Sequence, residues 1–240
     1  METIHFDNLA IGNGGKPVMA GINACVQSGE LTCLIGRNGT GKSTLLRTIA
    51  GFQQPLEGRI MYGEQDLQTI GNRERARLIG VVLTEKPDVQ NMTVREVVAL
   101  GRMPYTGFFG VLSKDDWKTV DRAIATVKIE SLAQRLIGSL SDGERQKVMV
   151  AKAMAQQTPI ILLDEPTAFL DYPSKVELMQ TLRLLAKKMD KTIVLSTHDI
   201  ELALEYADRF LVMESSMHVK LPSEISLQSF LNDAGNVAAY

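Results

Sequence analysis

The sequence predicts an α/β chain: a mostly parallel sheet flanked by helices, with an N-terminal antiparallel β region and an inserted α-helical subdomain. Three observations predict it. The apolar run LTCLI at 31–35 leads into a glycine-rich loop at 36–41 and then into a helical pattern. The strand-like runs IILLD (160–164), TIVLS (192–196) and RFLVM (209–213) alternate with the helical stretches SKVELMQTLRLLAKK and DIELALEYA. Such alternation builds a largely parallel sheet. Between 93 and 157 the pattern is helical throughout.

The elements follow in order. Residues 4–27 read as short strands around the glycine-rich turn GNGGKP at 12–17, and 31–35 as a buried strand. KSTLLRTIAG is helical and stops at Gly51, a residue suited to a helix C-terminus. GRIMYGEQD at 58–66 reads as a strand with a turn, and RLIGVVL at 77–83 as a buried strand. TVREVVALGR, DDWKTVDRAIATVKI and ERQKVMVAKAMAQQ form the helical insertion, and the polar tail from Pro222 is weakly patterned. One domain over 1–240 is expected, with a nucleotide-binding core at 1–84 and 158–220, a helical subdomain at 85–157 and a tail at 221–240.

Composition narrows the function. A 45% hydrophobic content over 240 residues supports a sizeable core. The 26 basic and 28 acidic residues leave a net charge of −2, which supplies no bulk attraction to nucleic acid or anionic membranes. No nucleic-acid partner is expected. Cys25 and Cys33 lie in apolar, strand-like sequence without C-x-x-C spacing, which points to buried thiols in a reducing compartment rather than a disulfide or zinc site. The opening METIHFDNLAIG reads as a strand and lacks the layout of a signal peptide, so the cytosol is expected. No window approaches the roughly 18 apolar residues of a membrane span, so membrane association would go through another protein or the surface.

The chemistry sits in four stretches. In GRNGTGKST, Gly36, Gly39, Gly41, Lys42 and Ser43 fit G-x-x-x-x-G-K-[ST], whose glycines let backbone N–H groups crowd round phosphate oxygens at a helix N-terminus. Arg37, Asn38 and Thr40 complete that cradle, Lys42 reaches the β and γ phosphates, Ser43 places its hydroxyl on Mg²⁺, and Thr44 continues the phosphate contacts. IILLDEP puts Asp164 and Glu165 at the C-terminal end of a buried strand, where open α/β sheets bind ligands. Asp164 is expected to hold Mg²⁺ through water, and Glu165 to polarise the attacking water. In LSDGERQK, Ser141 and Glu144 make a capping box, and the small residues Ser141 and Gly143 at the exposed helix start also make an anion site. His198 follows TIVLS, a strand expected beside that of Glu165, so its imidazole could reach the γ-phosphate. A merely packed or solvent-facing ring is the other reading.

LSDGE resembles the signature sequence Leu-Ser-Gly-Gly-Gln of the ATP-binding cassette family, and GRNGTGKST, LSDGE, IILLDEP, FLD (169–171) and THD (197–199) stand in that family's order. The resemblance spans roughly 2–215. It implies a P-loop NTPase core of RecA-like type, ATP and Mg²⁺ as cofactors, and ATP hydrolysis coupled to transport. It further implies that Ser141 and Gly143, with Asp142 between them, act on the γ-phosphate bound to a second copy, that Asp171 belongs to the loop linking the copies, and that His198 is the switch histidine. A homodimer follows.

The segment VVALGRMPYTGFFG at 97–110 is similar to the LGR-x-P segment of importers for iron–siderophore complexes, haem and cobalamin. That likeness implies integral membrane permease partners, an indirect link to a substrate-binding protein, and a place at the cytoplasmic face of the bacterial cell membrane. Tyr105, Phe108, Phe109 and Trp117 fit either an anchor pocket for a partner helix or the lobe's own core. Two positions depart from the family. Asn13 stands where an aromatic residue usually stacks on adenine, leaving Phe6 or another residue to compensate, and Thr84 stands where a glutamine usually touches Mg²⁺. The alternatives are a soluble cassette ATPase of translation or DNA repair, whose second cassette, coiled coils or zinc inserts this chain lacks, and a P-loop kinase, which would not explain LSDGE.

Overall fold

A computed structural model describes residues 3–83 and 91–226. Strands β1 (Ile4–Asn13) and β2 (Lys16–Val26) form an antiparallel hairpin closed by Gly14 and Gly15, both at positive φ. β3 (Leu31–Gly36) and α1 (Lys42–Ile49) follow, then β4 (Glu57–Tyr62) and the short β5 (Gln65–Asp66). β4 joins the free edge of β1, giving a four-stranded antiparallel sheet of order β2-β1-β4-β5.

The rest of the chain builds the second sheet. After α2 (Asn72–Leu78) comes β6 (Ile79–Val82). The helical insertion holds α3 (Val94–Ala99), a 3-10 helix at Leu100–Tyr105, α4 (Lys114–Thr126) and α5 (Asp142–Ala155). β7 (Ile160–Asp164), α6 (Tyr172–Met189), β8 (Thr192–Ser196), α7 (Ile200–Tyr206), β9 (Arg209–Met213) and β10 (Met217–Lys220) complete it. The order is β10-β9-β3-β8-β7-β6, parallel except for β10.

Both faces of the parallel sheet are buried, which is why its strands read as continuous apolar runs. The pleat sends Cys33 and Ile35, Ile161 and Leu163, and Ile193 and Leu195 into one core with α3–α7. Leu34, Leu162 and Val194 point the other way, into a second core with Leu45, Leu46 and Ile49 of α1 and the antiparallel sheet. α1 is therefore packed between the two sheets, and the glycine-rich loop that precedes it lies at their junction.

The structure corrects several expectations. RLIGVVL is not one strand: Arg77 and Leu78 end α2, and β6 begins at Ile79. α2, NRERARL, buries no residue, so it has no apolar stripe to announce it. It is held by arginines instead. Arg75 donates to the carbonyls of Leu67 and Ile70, while Arg73 and Arg77 reach the carbonyl of Pro104. β10 lacked a strand signal because its side chains are largely exposed. Cys33 is buried, and burial pushes its thiol up, out of reactive range; Cys25 is only half-buried, and both are free.

The aromatic group divides. Trp117 packs against the larger core with the Arg95 guanidinium 4.2 Å from its ring centre, and Tyr105 donates its hydroxyl to the carbonyl of Gln156. Phe108 and Phe109 stand in solvent, 99% and 88% exposed, ring against ring edge-on. Trp117 thus belongs to the lobe's core and Tyr105 is tied to the end of α5, whereas Phe108 and Phe109 belong to neither.

Candidate functional site

Gly36 ends β3, residues 37–40 form the loop, and Gly41 caps α1 in a left-handed conformation with φ 101. A Cβ there would lie 2.8 Å from the Val18 side chain, so the loop's path over the hairpin requires glycine. Helices α3, α4, α5 and α6 each carry a side-chain cap at their N-terminus, whereas α1, α2 and α7 have none. What distinguishes α1 is the glycine-rich loop that leads into its uncapped N–H groups, a combination suited to an anion. Ser43 is exposed and Thr44 half-buried at the same turn.

Lys42 is 7% exposed and donates to the carbonyls of Gly36 at 2.8 Å and Arg37 at 3.1 Å. Desolvation lowers its pKa, opposed by the carboxylates of Glu165 and Asp164, which act on it across the cleft. Asp164 ends β7 level with Ser196 of β8. The Ser196 hydroxyl donates to Asp164 Oδ1 at 2.6 Å and accepts the Glu165 N–H at 2.9 Å. Glu165 takes φ 49, and its carboxylate lies 2.9 Å from His198 Nε2.

The loop bearing His198 is itself anchored. Asp199 accepts from Thr167 at 2.6 Å and Lys175 at 2.9 Å, and its N–H donates to Thr197. Burial works against the Asp199 charge, yet those two donors hold its carboxyl below the usual range. Lys42, Asp164, Glu165 and His198 thus meet at the C-terminal ends of β3, β7 and β8. The donor set suits magnesium: a hydroxyl and a carboxylate are hard oxygen ligands, and that ion takes one or two such ligands alongside phosphates. Among the described residues no three His, Cys, Asp or Glu side chains cluster into an all-protein metal site.

A profile of the ABC transporter family matches residues 19–168. The chain belongs to that family. It is accordingly an ATP-binding cassette, an ATPase. An uncharacterised ABC transporter ATP-binding protein of Methanocaldococcus jannaschii is 43% identical over 87% of the chain and 72% of its own length. An iron(3+)-hydroxamate import ATP-binding protein of Bacillus subtilis, FhuC, is 30% identical over 92% and 82%. A bacterial ABC transporter cassette solved as a dimer superposes with a TM-score of 0.80 at 26% identity, covering 91% of this chain and 98% of that one.

The cassette's second cluster stands apart from the phosphate loop. Ser141 caps α5, accepting the Glu144 N–H at 3.2 Å while the Glu144 carboxylate accepts the Ser141 N–H at 2.9 Å. Hydrogen bonding from Ser141 holds the Glu144 carboxyl low. Asp142 is exposed and pairs with Arg145 at 2.9 Å. A Cβ on Gly143 would come within 3.2 Å of Leu170, so glycine lets α5 sit close on the turn that leads to Asp171. Asp171 caps α6 through the Ser174 N–H, which lowers its pKa. These residues line a cavity of about 500 Å³ whose walls include none of residues 36–44.

Sequence reasoning missed Ser196, Thr167 and Lys175. The only signal was a serine closing an otherwise apolar strand. Phe6 does not replace the missing aromatic: it is 3% exposed inside the second core, whereas Asn13 is exposed at the hairpin tip. Thr84 lies outside the described residues.

Proposed function

We propose that this cassette is the ATP-hydrolysing subunit of a bacterial importer of metal chelates of the iron–siderophore, haem or cobalamin type. Two copies would dock beneath a separate membrane permease, at the cytoplasmic face of the cell membrane, with a substrate-binding protein linked to them only indirectly. One observation supports the paired ATPase. The cavity at Ser141 shares no lining residue with the cleft at Lys42, Asp164, Glu165 and His198, which supports an ATP in the cleft being completed by the Ser141–Gly143 turn of a second copy.

In that arrangement the opening N–H groups of α1, Gly36–Gly41 and Lys42 bind and orient the phosphates, with Arg37, Asn38, Thr40 and Thr44 around them. Ser43 and Asp164 would hold Mg²⁺, which when bound supplies charge neutralisation at the β and γ phosphates. Glu165 orients the attacking water and accepts its proton, and His198 Nε2 fixes the Glu165 carboxylate and reaches the γ-phosphate. Asp171, which lines the same cavity as the Ser141 turn, would belong to the loop linking the two copies. Binding closes the pair and hydrolysis parts it.

No helix among the described residues is long and apolar enough to cross a membrane, so the motion passes to another chain. Phe108 and Phe109, with half-exposed Met103 beside them, give the lobe an apolar patch for that handover. The support for import comes from relatives such as FhuC. The test is purification of the tagged chain from detergent-solubilised membranes, with the Phe108→Ser/Phe109→Ser double variant in parallel. A multi-span permease recovered with wild type and reduced with the variant is expected. Recovery only with ribosomal or DNA-repair proteins would overturn the transporter reading.

A further inference from the structure

Ser196 ends β8, is 0% exposed, and touches both carboxylate-bearing residues of the cleft. A hydroxyl has one proton and two lone pairs. The Glu165 N–H can only donate, so at that contact Ser196 Oγ accepts at 2.9 Å, and its single proton goes to Asp164 Oδ1 at 2.6 Å. The direction of both bonds is therefore set by chemistry.

The contact also accounts for the backbone of Glu165. A φ of 49 is rare for a residue with a Cβ, and such a conformation persists only where the surroundings impose it. Ser196 holds its N–H, and its carbonyl accepts the Ala168 N–H at 3.2 Å. Pinned on both sides, Glu165 turns its carboxylate to within 2.9 Å of His198. The hydroxyl that orients Asp164 thus also aims Glu165.

We propose that Ser196 is a positioning residue that sets the metal-holding carboxylate of Asp164 and the water-activating carboxylate of Glu165 in register for hydrolysis. This rests on the site reading given above. Residues that orient metal ligands without touching the metal carry on the order of 10–100-fold in affinity or activity.

The test compares wild type, Ser196→Ala and Glu165→Gln, using fluorescent MANT-ATP in EDTA, a Mg²⁺ titration of the same complex, and steady-state phosphate release. For Ser196→Ala, MANT-ATP binding in EDTA is expected to stay within about twofold, because the phosphate loop is untouched. Its kcat should fall on the order of 10–100-fold with little change in KM, and the Mg²⁺ concentration at half-saturation should rise. Wild-type kcat and an unmoved Mg²⁺ midpoint in Ser196→Ala, beside an inactive Glu165→Gln, would overturn the proposal alone. Loss of MANT-ATP binding in EDTA in step with kcat would overturn it too, making Ser196 a residue of general structure. An active Glu165→Gln would overturn the site reading and the proposal with it.

Discussion

Replacing Arg102 by alanine should unfold the helical lobe well before it touches the chemistry, because this one guanidinium ties three parts of the lobe together. Arg102 is 7% exposed. Its Nε donates to Asp116 of α4 at 2.8 Å, and its Nη1 to the Ala155 carbonyl at the end of α5 and to Gln157 Oε1, both at 2.8 Å. The guanidinium also lies 4.1 Å from the Tyr105 ring centre. Truncation leaves the Asp116 carboxylate, 16% exposed, without its counter-charge, and the Ala155 carbonyl without that donor.

Breaking the pair from one side, with Arg102 buried and Asp116 partly open to solvent, costs about 2–3 kcal/mol, below the range for a fully buried pair. Each kcal/mol moves the midpoint by about 2–4 °C in a protein of this size, so a drop of roughly 4–12 °C follows. Thermal and urea unfolding of the purified cassette measure it. Arg102→Lys should fall between, since an ammonium keeps the charge but not the fork that serves Asp116 and Ala155 together. A loss under about 1 kcal/mol for Arg102→Ala would refute the reasoning, since it would place the pair among the weak surface ones.

Glu165→Gln should abolish phosphate release and trap an ATP-bound dimer, seen as a doubled mass by light scattering; unchanged turnover removes Glu165 from the base role. Ser141→Arg should leave the melting midpoint near wild type yet block that dimer, and a persistent ATP-dependent dimer would sink the shared-site arrangement. The acid limb of stability gives a separate check. Hydrogen bonds from Ser113 and Arg102 hold the Asp116 carboxyl at about 2, below its ordinary 3.8. A depressed carboxylate stabilises above its unfolded pKa and loses that contribution as pH falls through the folded one, so the loss lies between about pH 4 and 2. Partial solvent access trims it to on the order of 1–2 kcal/mol. Melting curves at pH 5, 3 and 2 should therefore fall more steeply for wild type than for Asp116→Asn.

Much of the site was legible in the chain because its chemistry depends on local order. The phosphate loop needs its glycines, Lys42 and Ser43 in one run between a strand and a helix, and LSDGE announces its own capping box. The parallel strands were legible because burial on both faces leaves continuous apolar runs such as IILLD and TIVLS. α2 was not, because arginine-to-carbonyl bonds hold it and these leave no periodic trace. The aromatic run at 105–117 was ambiguous for a related reason: hydrophobicity alone does not say whether a ring faces the core or solvent, and here Trp117 and Phe108 differ.

The sequence by itself determined the family, and it set out the proposed phosphate cradle and the proposed pair Asp164 and Glu165 as short segments whose spacing suits that chemistry. Only the tertiary structure decided how those segments meet. Strand pairing across the crossovers sets Ser196 level with Asp164, folds Glu165 back to His198, and hangs the His198 loop on Thr167 and Lys175. Such contacts join residues about thirty positions apart through strand register, and two strands buried on both faces read as unbroken apolar runs that leave no trace of that register in the sequence. The same packing turns the LGRMPY segment into a hub built on Arg102, because its partners come from α4 and from the end of α5.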